Sequence, residues 1–439
     1  RLPLPCNSER DREILGEAQD FIYHVLEYFS RCNSGVSGVT LDVNLLRSLW
    51  AFGPKASNGL EDYSILSKLD TGTVTQACLP IAKLLVIDTL QDEHFQLKVV
   101  RGSRLATVPK NAEKRRTIAI EPSLNMAVQK SLGLYISQAL KYKGLDIATQ
   151  QDFNSELARR ASLHDYGLST IDCRNASDMI SPSLIRALFP SDWYFALLQS
   201  SSREIENEGS FTSLRMISTM GNGFTFPVMT LIFASLVYAL NRVYLDAKYH
   251  VWEGKDLTYG VFGDDVVIQT SLFNEFVRVA TSWGFDINED KSFKNGYFKE
   301  SCGGDFYYGF EATPVYIKGL ELEQEVYVAI NQLTQWCVRT GVCLPLSIAF
   351  LKSLLHRPDR KVRYVPMYEN ADAGIHSPFF RPKYEKLSCE VSKQLVKLPT
   401  VRYRLLINAA LCGAISGCDE PKRTRLSKEF RVLKDGLNF

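Results

Sequence analysis

Ile14, Leu15, Ala18, Phe21, Ile22, Val25, Leu26 and Phe29 recur at three- and four-residue intervals near the start of the chain. That spacing is the buried stripe of an amphipathic helix. Ser8 with Asp11 ahead of it fits a loose capping box, and Gly35 and Gly38 close it. A polar Gly/Ser/Asn stretch over 55–59 marks a loop. A second apolar helix is predicted over 75–90, with Pro80 in its first turn. Thr117-Ile-Ala-Ile120 reads as a short strand ended by Glu121-Pro122, and a helix follows over 124–142. The middle of the chain then alternates β-rich runs (168–173, 257–262, 266–269) with helices (182–188, 226–241, 272–283). This alternation predicts an α+β layer in which helices back a small antiparallel sheet. Past about 320 the helical pattern returns through Val326, Val328, Ile330, Leu333, Trp336 and Val338. No internal repeat interrupts the order.

The longest nearly apolar run, 226–240, is shorter than the roughly 20 residues that span a bilayer. It follows a Gly/Asn turn and is followed by Arg242, so a buried helix is expected and no membrane partner. Of 439 residues, 45% are hydrophobic and 23% charged, which excludes disordered, collagen-like and coiled-coil classes. Ten cysteines are scattered without any C-x-x-C pair, so neither a zinc ribbon nor a disulfide framework is expected and reduced thiols of a cytosolic protein are. The chain opens on Arg with no charged-then-apolar leader, which reads as a processed or partial product.

With 51 basic and 49 acidic residues the net charge is only +2, so affinity for nucleic acid must come from local clusters. One such cluster is Arg101, Arg104, Lys110, Lys114, Arg115 and Arg116 against Glu113 alone. A second lies in the tail, at Lys422, Arg423, Arg425, Lys428, Arg431 and Lys434. Each run also fits a solvated face, the ordinary position of Lys and Arg.

The chemistry concentrates in Tyr259-Gly-Val-Phe-Gly-Asp-Asp-Val-Val-Ile268. Asp264 and Asp265 follow Gly263 between two β-type runs, which puts them at a hairpin tip. Adjacent anions about 4 Å apart repel by roughly 4 kcal/mol at an effective dielectric near 20. A fold tolerates that when a cation neutralises the pair, and hard oxygen ligands select Mg²⁺ or Mn²⁺. An Asp-rich solvated turn has the same sequence. A second acidic strand end, Ser169-Thr-Ile-Asp-Cys173, could complete a two-metal site through Asp172, although a helix N-cap would look alike. Between them, Ile217-Ser-Thr-Met-Gly-Asn-Gly-Phe-Thr225 offers a hydroxyl-bearing Gly/Asn loop at a helix start, where a backbone can approach a sugar or phosphate. Lys291, after Asn288-Glu-Asp, adds a cation that could face triphosphate.

In this order the segments resemble the palm of a template-dependent RNA polymerase, and most closely the levivirus-type RNA-directed RNA polymerases, the replicase catalytic (beta) subunits of positive-strand RNA bacteriophages. The resemblance runs from about 101 to 318. It is carried by Val108-Pro-Lys-Asn111 with Arg116-Thr-Ile-Ala-Ile-Glu-Pro122, Ile171-Asp172 with Ala176-Ser-Asp178, Met220-Gly-Asn-Gly-Phe-Thr-Phe226 and Leu231-Ile-Phe-Ala-Ser-Leu236. It continues through Phe262-Gly-Asp-Asp265, Phe298-Lys-Glu-Ser-Cys-Gly303 and Thr313-Pro-Val-Tyr-Ile317. Cys173-Arg174-Asn175 departs from the family, where small or apolar residues follow the Asp.

The resemblance implies an α+β right-hand polymerase fold of fingers, palm and thumb, with a small antiparallel palm sheet backed by helices. The fingers would cover 1–165, with the basic nucleotide-facing strand 101–122. The palm would cover 166–320, with 181–217 as an insertion from the fingers, and the thumb and basic tail 321–439. It implies RNA synthesis on an RNA template from ribonucleoside triphosphates, replicating a viral genome in the cytoplasm of a bacterial host. Asp172, Asp264 and Asp265 would hold two Mg²⁺, Mn²⁺ being an alternative, and Lys291 would be a general acid toward pyrophosphate. Lys110, Lys114, Arg115 and Arg116 would neutralise the triphosphate; Ser177, Asp178, Ser218 and Asn222 would read the ribose. Tyr307-Tyr308-Gly309 could form a hairpin against the growing strand. Partners would include the RNA template and product and the host elongation factors Tu and Ts. A reverse transcriptase, or a non-catalytic RNA-binding protein on the same fold, remain open on these residues.

Overall fold

The computed structural model describes residues 8–53, 56–61, 64–90, 94–109, 115–163, 167–245, 259–356 and 362–377. They form two compact units, one of 8–107 with 117–310 and the other of 108–116 with 311–377. The architecture is α+β.

The first unit begins with helix α1 (Glu9–Ser34), capped as its sequence predicts: the Ser8 side chain accepts from Asp11 N–H, and Gly35 closes it at φ 72°. Strand β1 (Thr71–Thr75) pairs in parallel with β2 (Gln96–Val100). The helix predicted over 75–90 therefore starts later, at Leu79, with Pro80 in its first turn. Strands β3 (Ser103–Pro109) and β4 (Arg115–Ile120) lead to helix α2 (Ser123–Tyr142). The first turn of α2 meets polar needs of β1, since Thr73 N–H donates to Ser123 Oγ and Thr75 N–H to Asn125 Oδ1. Helix α3 (Ile147–Ala161) then precedes strand β5 (Leu168–Ile171). A hairpin of β6 (Glu204–Asn207) and β7 (Ser210–Ser213) extends a four-stranded sheet in the order β4-β3-β6-β7.

Helix α4 (Thr225–Tyr244) is the apolar run of the sequence. It is long and apolar enough to cross a membrane, yet 72% of its most apolar window is buried inside the protein. It packs on α1, α2 and α5 (Phe273–Ser282), with Phe21 against Tyr238 and Phe233 against Phe276 and Phe285. Burial on nearly every side accounts for its lack of a polar face.

The central sheet is three-stranded and antiparallel, in the order β5, β9 (Asp265–Gln269), β8 (Gly260–Phe262). Its interior positions Ser169, Thr170, Ile171, Val261, Val266, Val267 and Ile268 are almost completely buried, the mark of a sheet covered on both faces. A hairpin of β10 (Phe298–Ser301) and β11 (Gly304–Tyr307) follows in the chain. Tyr308 and Gly309 turn with positive φ, and the Tyr308 ring stacks on Tyr297 at 4.0 Å.

The second unit is built on helices α6 (Glu323–Thr340) and α7 (Pro345–Leu354). Val326, Ile330 and Leu333 of the predicted stripe enter its core with Leu351 and Ile375. Val338, from the same stripe, is 79% exposed.

Candidate active site

Each acidic segment is positioned by a local device that the sequence encodes. Residues Gly263 and Asp264 form a two-residue loop, because Phe262 pairs directly with Asp265. Gly263 takes φ 64°, as the first position of a type II′ hairpin turn requires. Its N–H donates to Thr230 Oγ1 of α4 at 3.0 Å, and a Cβ added there would lie 2.5 Å from the Phe226 ring. Phe226 in turn packs edge-on against Phe262 at 4.7 Å. The hairpin tip is thus wedged against the start of the buried helix.

Asp172 follows the last residue of β5. The register pairs Ile171 with Val266, so one step further brings Asp172 level with Asp265, and Asp264 adjoins it in the turn. Asp172 is fixed by a short segment after α5: Asn288 Nδ2 donates to Asp172 Oδ2 at 2.7 Å, Asn288 N–H donates to the Asp172 carbonyl, and Asp172 N–H donates to Ser292 Oγ. Asp265 accepts from the Cys302 N–H at 2.8 Å through Oδ1, which ties it to the β10–β11 turn.

Charge accumulates here. Burial, then the charges of Asp264, Asp172 and Glu300, push the Asp265 carboxyl up to about 7, against the Cys302 N–H that favours its ionised form. Burial pushes the Cys173 thiol up, and Asp264, Asp172, Asp286 and Asp265 push it further. Lys291 and Arg174 are cations of the neighbourhood: Lys291 lies 2.5 Å from Glu300, and Arg174 donates to Asn288 Oδ1 and pairs with Asp290. Burial lowers the Lys291 pKa, but the bond to Glu300 and the charges of Glu300, Asp172 and Asp305 outweigh this and leave it raised.

The residues fit a divalent cation by donor chemistry: hard carboxylate oxygens gathered at one sheet end, one of them destabilised as an anion by its neighbours. They share a neighbourhood rather than a finished coordination sphere. Among the described residues no three His, Cys, Asp or Glu side chains are grouped to hold a metal ion, and Asp172 and Asp265 each give one oxygen to a protein N–H.

The other residues singled out in the sequence divide into three groups. Ser177, Asp178, Ser218 and Asn222 lie together, but with their polar atoms largely engaged by the protein. Ser218 Oγ donates to the Ser177 carbonyl at 2.9 Å and is fully buried. Ser177 Oγ donates to Asp178 Oδ1, and burial raises the Asp178 carboxyl against that bond and one from Met220 N–H. Asn222 accepts from Thr219 N–H and donates to Glu121. Arg115 and Arg116 open β4 as exposed residues and belong to the second unit. Lys110, Lys114 and the basic tail lie outside the described residues.

Sequence reasoning missed Asn288, Ser292, Glu300 and Glu121. Asn288 and Ser292 bracket Lys291 in Asn288-Glu-Asp-Lys-Ser292, Glu300 lies in Phe298-Lys-Glu-Ser-Cys-Gly303 and Glu121 ends the predicted strand. Each stood beside a residue already singled out, while no pattern in the sequence gave its partner.

Sheet and side chains together define a class: an α+β protein whose antiparallel hairpin, backed by a buried helix, presents an acidic cluster with one lysine beside it. The chain belongs to the RNA replicase beta-chain family, whose model matches residues 56–400. It is 33% identical over 255 residues to the RNA-directed RNA polymerase beta chain of Escherichia phage MS2, covering 58% of this chain and 45% of that protein. It is 34% identical over 275 residues to the RNA-directed RNA polymerase subunit beta of Escherichia virus Qbeta, covering 62% and 45%. The chain thus spans less than half the length of these relatives. A solved RNA-dependent RNA polymerase of a human picobirnavirus superposes loosely, with TM-score 0.37, 13% identity and coverage of 58% of this chain and 60% of that one.

Proposed function

We propose that this chain carries the catalytic centre of an RNA-directed RNA polymerase, extending an RNA strand from ribonucleoside triphosphates on an RNA template during replication of a viral genome. The observation that carries the proposal is the register of β5 on β9, which supports Asp172, Asp264 and Asp265 acting as one site. Membership of the replicase family supports the same reaction and a general dependence on divalent metal. Asp172, Asp264 and Asp265 would hold Mg²⁺ or Mn²⁺; two such ions, when bound, activate the attacking 3′-hydroxyl and stabilise the leaving pyrophosphate.

The chain's own residues have distinct tasks in this proposal. Asn288 and Ser292 orient Asp172. The Cys302 N–H holds Asp265. Lys291, paired with Glu300, is the proton donor toward pyrophosphate and keeps a positive charge beside the acidic cluster. Residues 166–320 would be the palm, and the host elongation factors Tu and Ts, in the cytoplasm of a bacterial host, the protein partners.

Primer extension on a defined RNA template tests the proposal, comparing ribonucleotides with deoxyribonucleotides and adding host extract in a parallel arm. Asp264→Asn should abolish incorporation while leaving RNA affinity and melting temperature near wild type. Substantial synthesis by that variant would refute the metal assignment, and a preference for deoxyribonucleotides would identify a reverse transcriptase instead.

A further inference from the structure

Glu121 is an acid that the proposed reaction does not use, and it is 2% exposed. It ends the segment after β4. Ser202 Oγ donates to its Oε2 at 2.6 Å, and Asn222 Nδ2 donates to its Oε1 at 3.2 Å. Burial raises its carboxyl, and bonds from Ser202, Gln129 and Asn222 oppose this. A buried anion is costly to keep, and its bonds define what it holds.

What it holds is the Gly/Asn loop. Asn222 spends its amide oxygen on the Thr219 N–H at 2.8 Å, so its amide nitrogen can face only Glu121. Gly223 N–H donates to Gln129 Oε1 at 3.1 Å, and Ala119 N–H donates to the Met220 carbonyl at 2.8 Å. The contact is close: a Cβ at Gly221 would lie 2.2 Å from the Ala119 carbonyl oxygen, and one at Gly223 would lie 2.7 Å from Lys130 N. On its other side the same loop reaches the segment that follows the acidic strand end, through Ser218 to the Ser177 carbonyl and through Ile217 N–H to the Ile180 carbonyl. Its chain then enters α4, which supports the Gly263 turn.

We propose that Glu121 is a positioning residue for nucleotide binding, its buried carboxylate fixing Asn222 and thereby the 219–223 loop beside the acidic site. The inference rests on the polymerase reading. It acts through Asn222 and not on substrate, so it belongs to ground-state binding rather than to the chemical step.

The geometry supplies a reciprocal test. Glu121→Gln leaves one acceptor where the carboxylate gave two. Either its NH₂ meets the NH₂ of Asn222, which cannot flip without losing Thr219, or its oxygen keeps Asn222 and its NH₂ meets the Ser202 hydroxyl, which must turn its proton away. Asn222→Asp sets two carboxylates against each other. The double variant E121Q/N222D restores the bond with donor and acceptor exchanged and conserves net charge. Single-nucleotide incorporation by the full chain should show Asn222→Asp raising the ribonucleotide KM about tenfold, the size of one lost hydrogen bond to a charged group, and Glu121→Gln raising it by no more than that. kcat and RNA affinity should move far less, and the double variant should return to within about threefold of wild type. Asn222→Ala, which leaves Glu121 with Ser202 and Gln129, should raise KM as Asn222→Asp does and covers the case that Glu121→Gln fails to fold. A KM unchanged in Asn222→Ala, or a double variant no better than the worse single, overturns the inference. Wild-type protein and Asp264→Asn run alongside separate the two levels: wild type without synthesis sinks the polymerase reading, whereas wild-type synthesis with indifferent 121 and 222 variants sinks only this one.

Discussion

Gly263→Ala is the sharpest probe of the acidic hairpin, because two independent costs fall on one methyl group. At φ 64° an L-residue sits in the left-handed region, which costs about 1–2 kcal/mol. The new Cβ would also lie 2.5 Å from Phe226 Cε2 and 3.1 Å from Met229 Cε. Phe226 has little room to yield, since its ring already packs on Phe262, and overpacking of this kind costs about 1–3 kcal/mol. Together the loss is about 2–5 kcal/mol, a large share of the 5–15 kcal/mol typical of a folded protein. Gly35→Ala separates the terms: Gly35 has φ 72° but nothing within 4 Å of an added Cβ, so only the conformational cost applies. Phe226→Leu in the Gly263→Ala background should recover part of the packing cost. Urea unfolding gives these differences through the midpoint at constant m-value. If Gly263→Ala costs no more than Gly35→Ala, the turn is not wedged against α4 and the placement of Asp264 must be revised.

Further expectations follow from the same geometry. Asn288→Ala should lower incorporation by freeing Asp172, and Asn288→Asp should lower it more, since a carboxylate would face Asp172 Oδ2 from an atom now 2.7 Å away; equal activities would show that Asn288 does not orient Asp172. Glu121 is raised from 4.5 to about 7 in the folded state, burial being the largest cause, so its contribution to stability is full below pH 4.5 and is lost as pH rises to about 7. Melting temperature followed from pH 4.5 to 8 should therefore fall less in Glu121→Gln than in wild type, and parallel curves would contradict the assignment. Lys299, lowered by burial from 10.5 to about 8, donates to the Asn295 and Gly296 carbonyls. Its ammonium is costly in the folded state at neutral pH, so wild-type stability should gain between pH 8 and 10.5 through this group, and Lys299→Met should lack that gain.

Elements governed by local rules were legible in the sequence. The cap at Ser8, the stripe through Phe29, the turn at Gly263 and the buried α4 each need only neighbouring residues to specify them. The strand Thr71–Thr75 was not, because it exists through pairing with Gln96–Val100 and through the polar start of α2, both remote in sequence. The nearness of Asp172 to the Asp264–Asp265 turn comes from the register of β5 on β9, whereas the sequence by itself left a solvated turn and a helix N-cap open for these residues. The loop at 218–222 shows the limit: the sequence grouped it with Ser177 and Asp178, but did not give the inward direction of Ser218 and Asn222, which Ser177 and Glu121 decide. Asn288 was invisible for the same reason, since its role depends on a strand more than a hundred residues earlier.

Phe226 and Thr230 stand one turn apart on α4, one packed on the hairpin and the other accepting its Gly263 N–H. The Gly/Asn loop runs directly into that turn of helix. Loop and hairpin therefore share one turn of helix as their support. Evolutionary drift at 226 or 230 is registered at both, so lineages that alter either position are expected to carry a matching exchange at Phe262, Met229 or the loop itself.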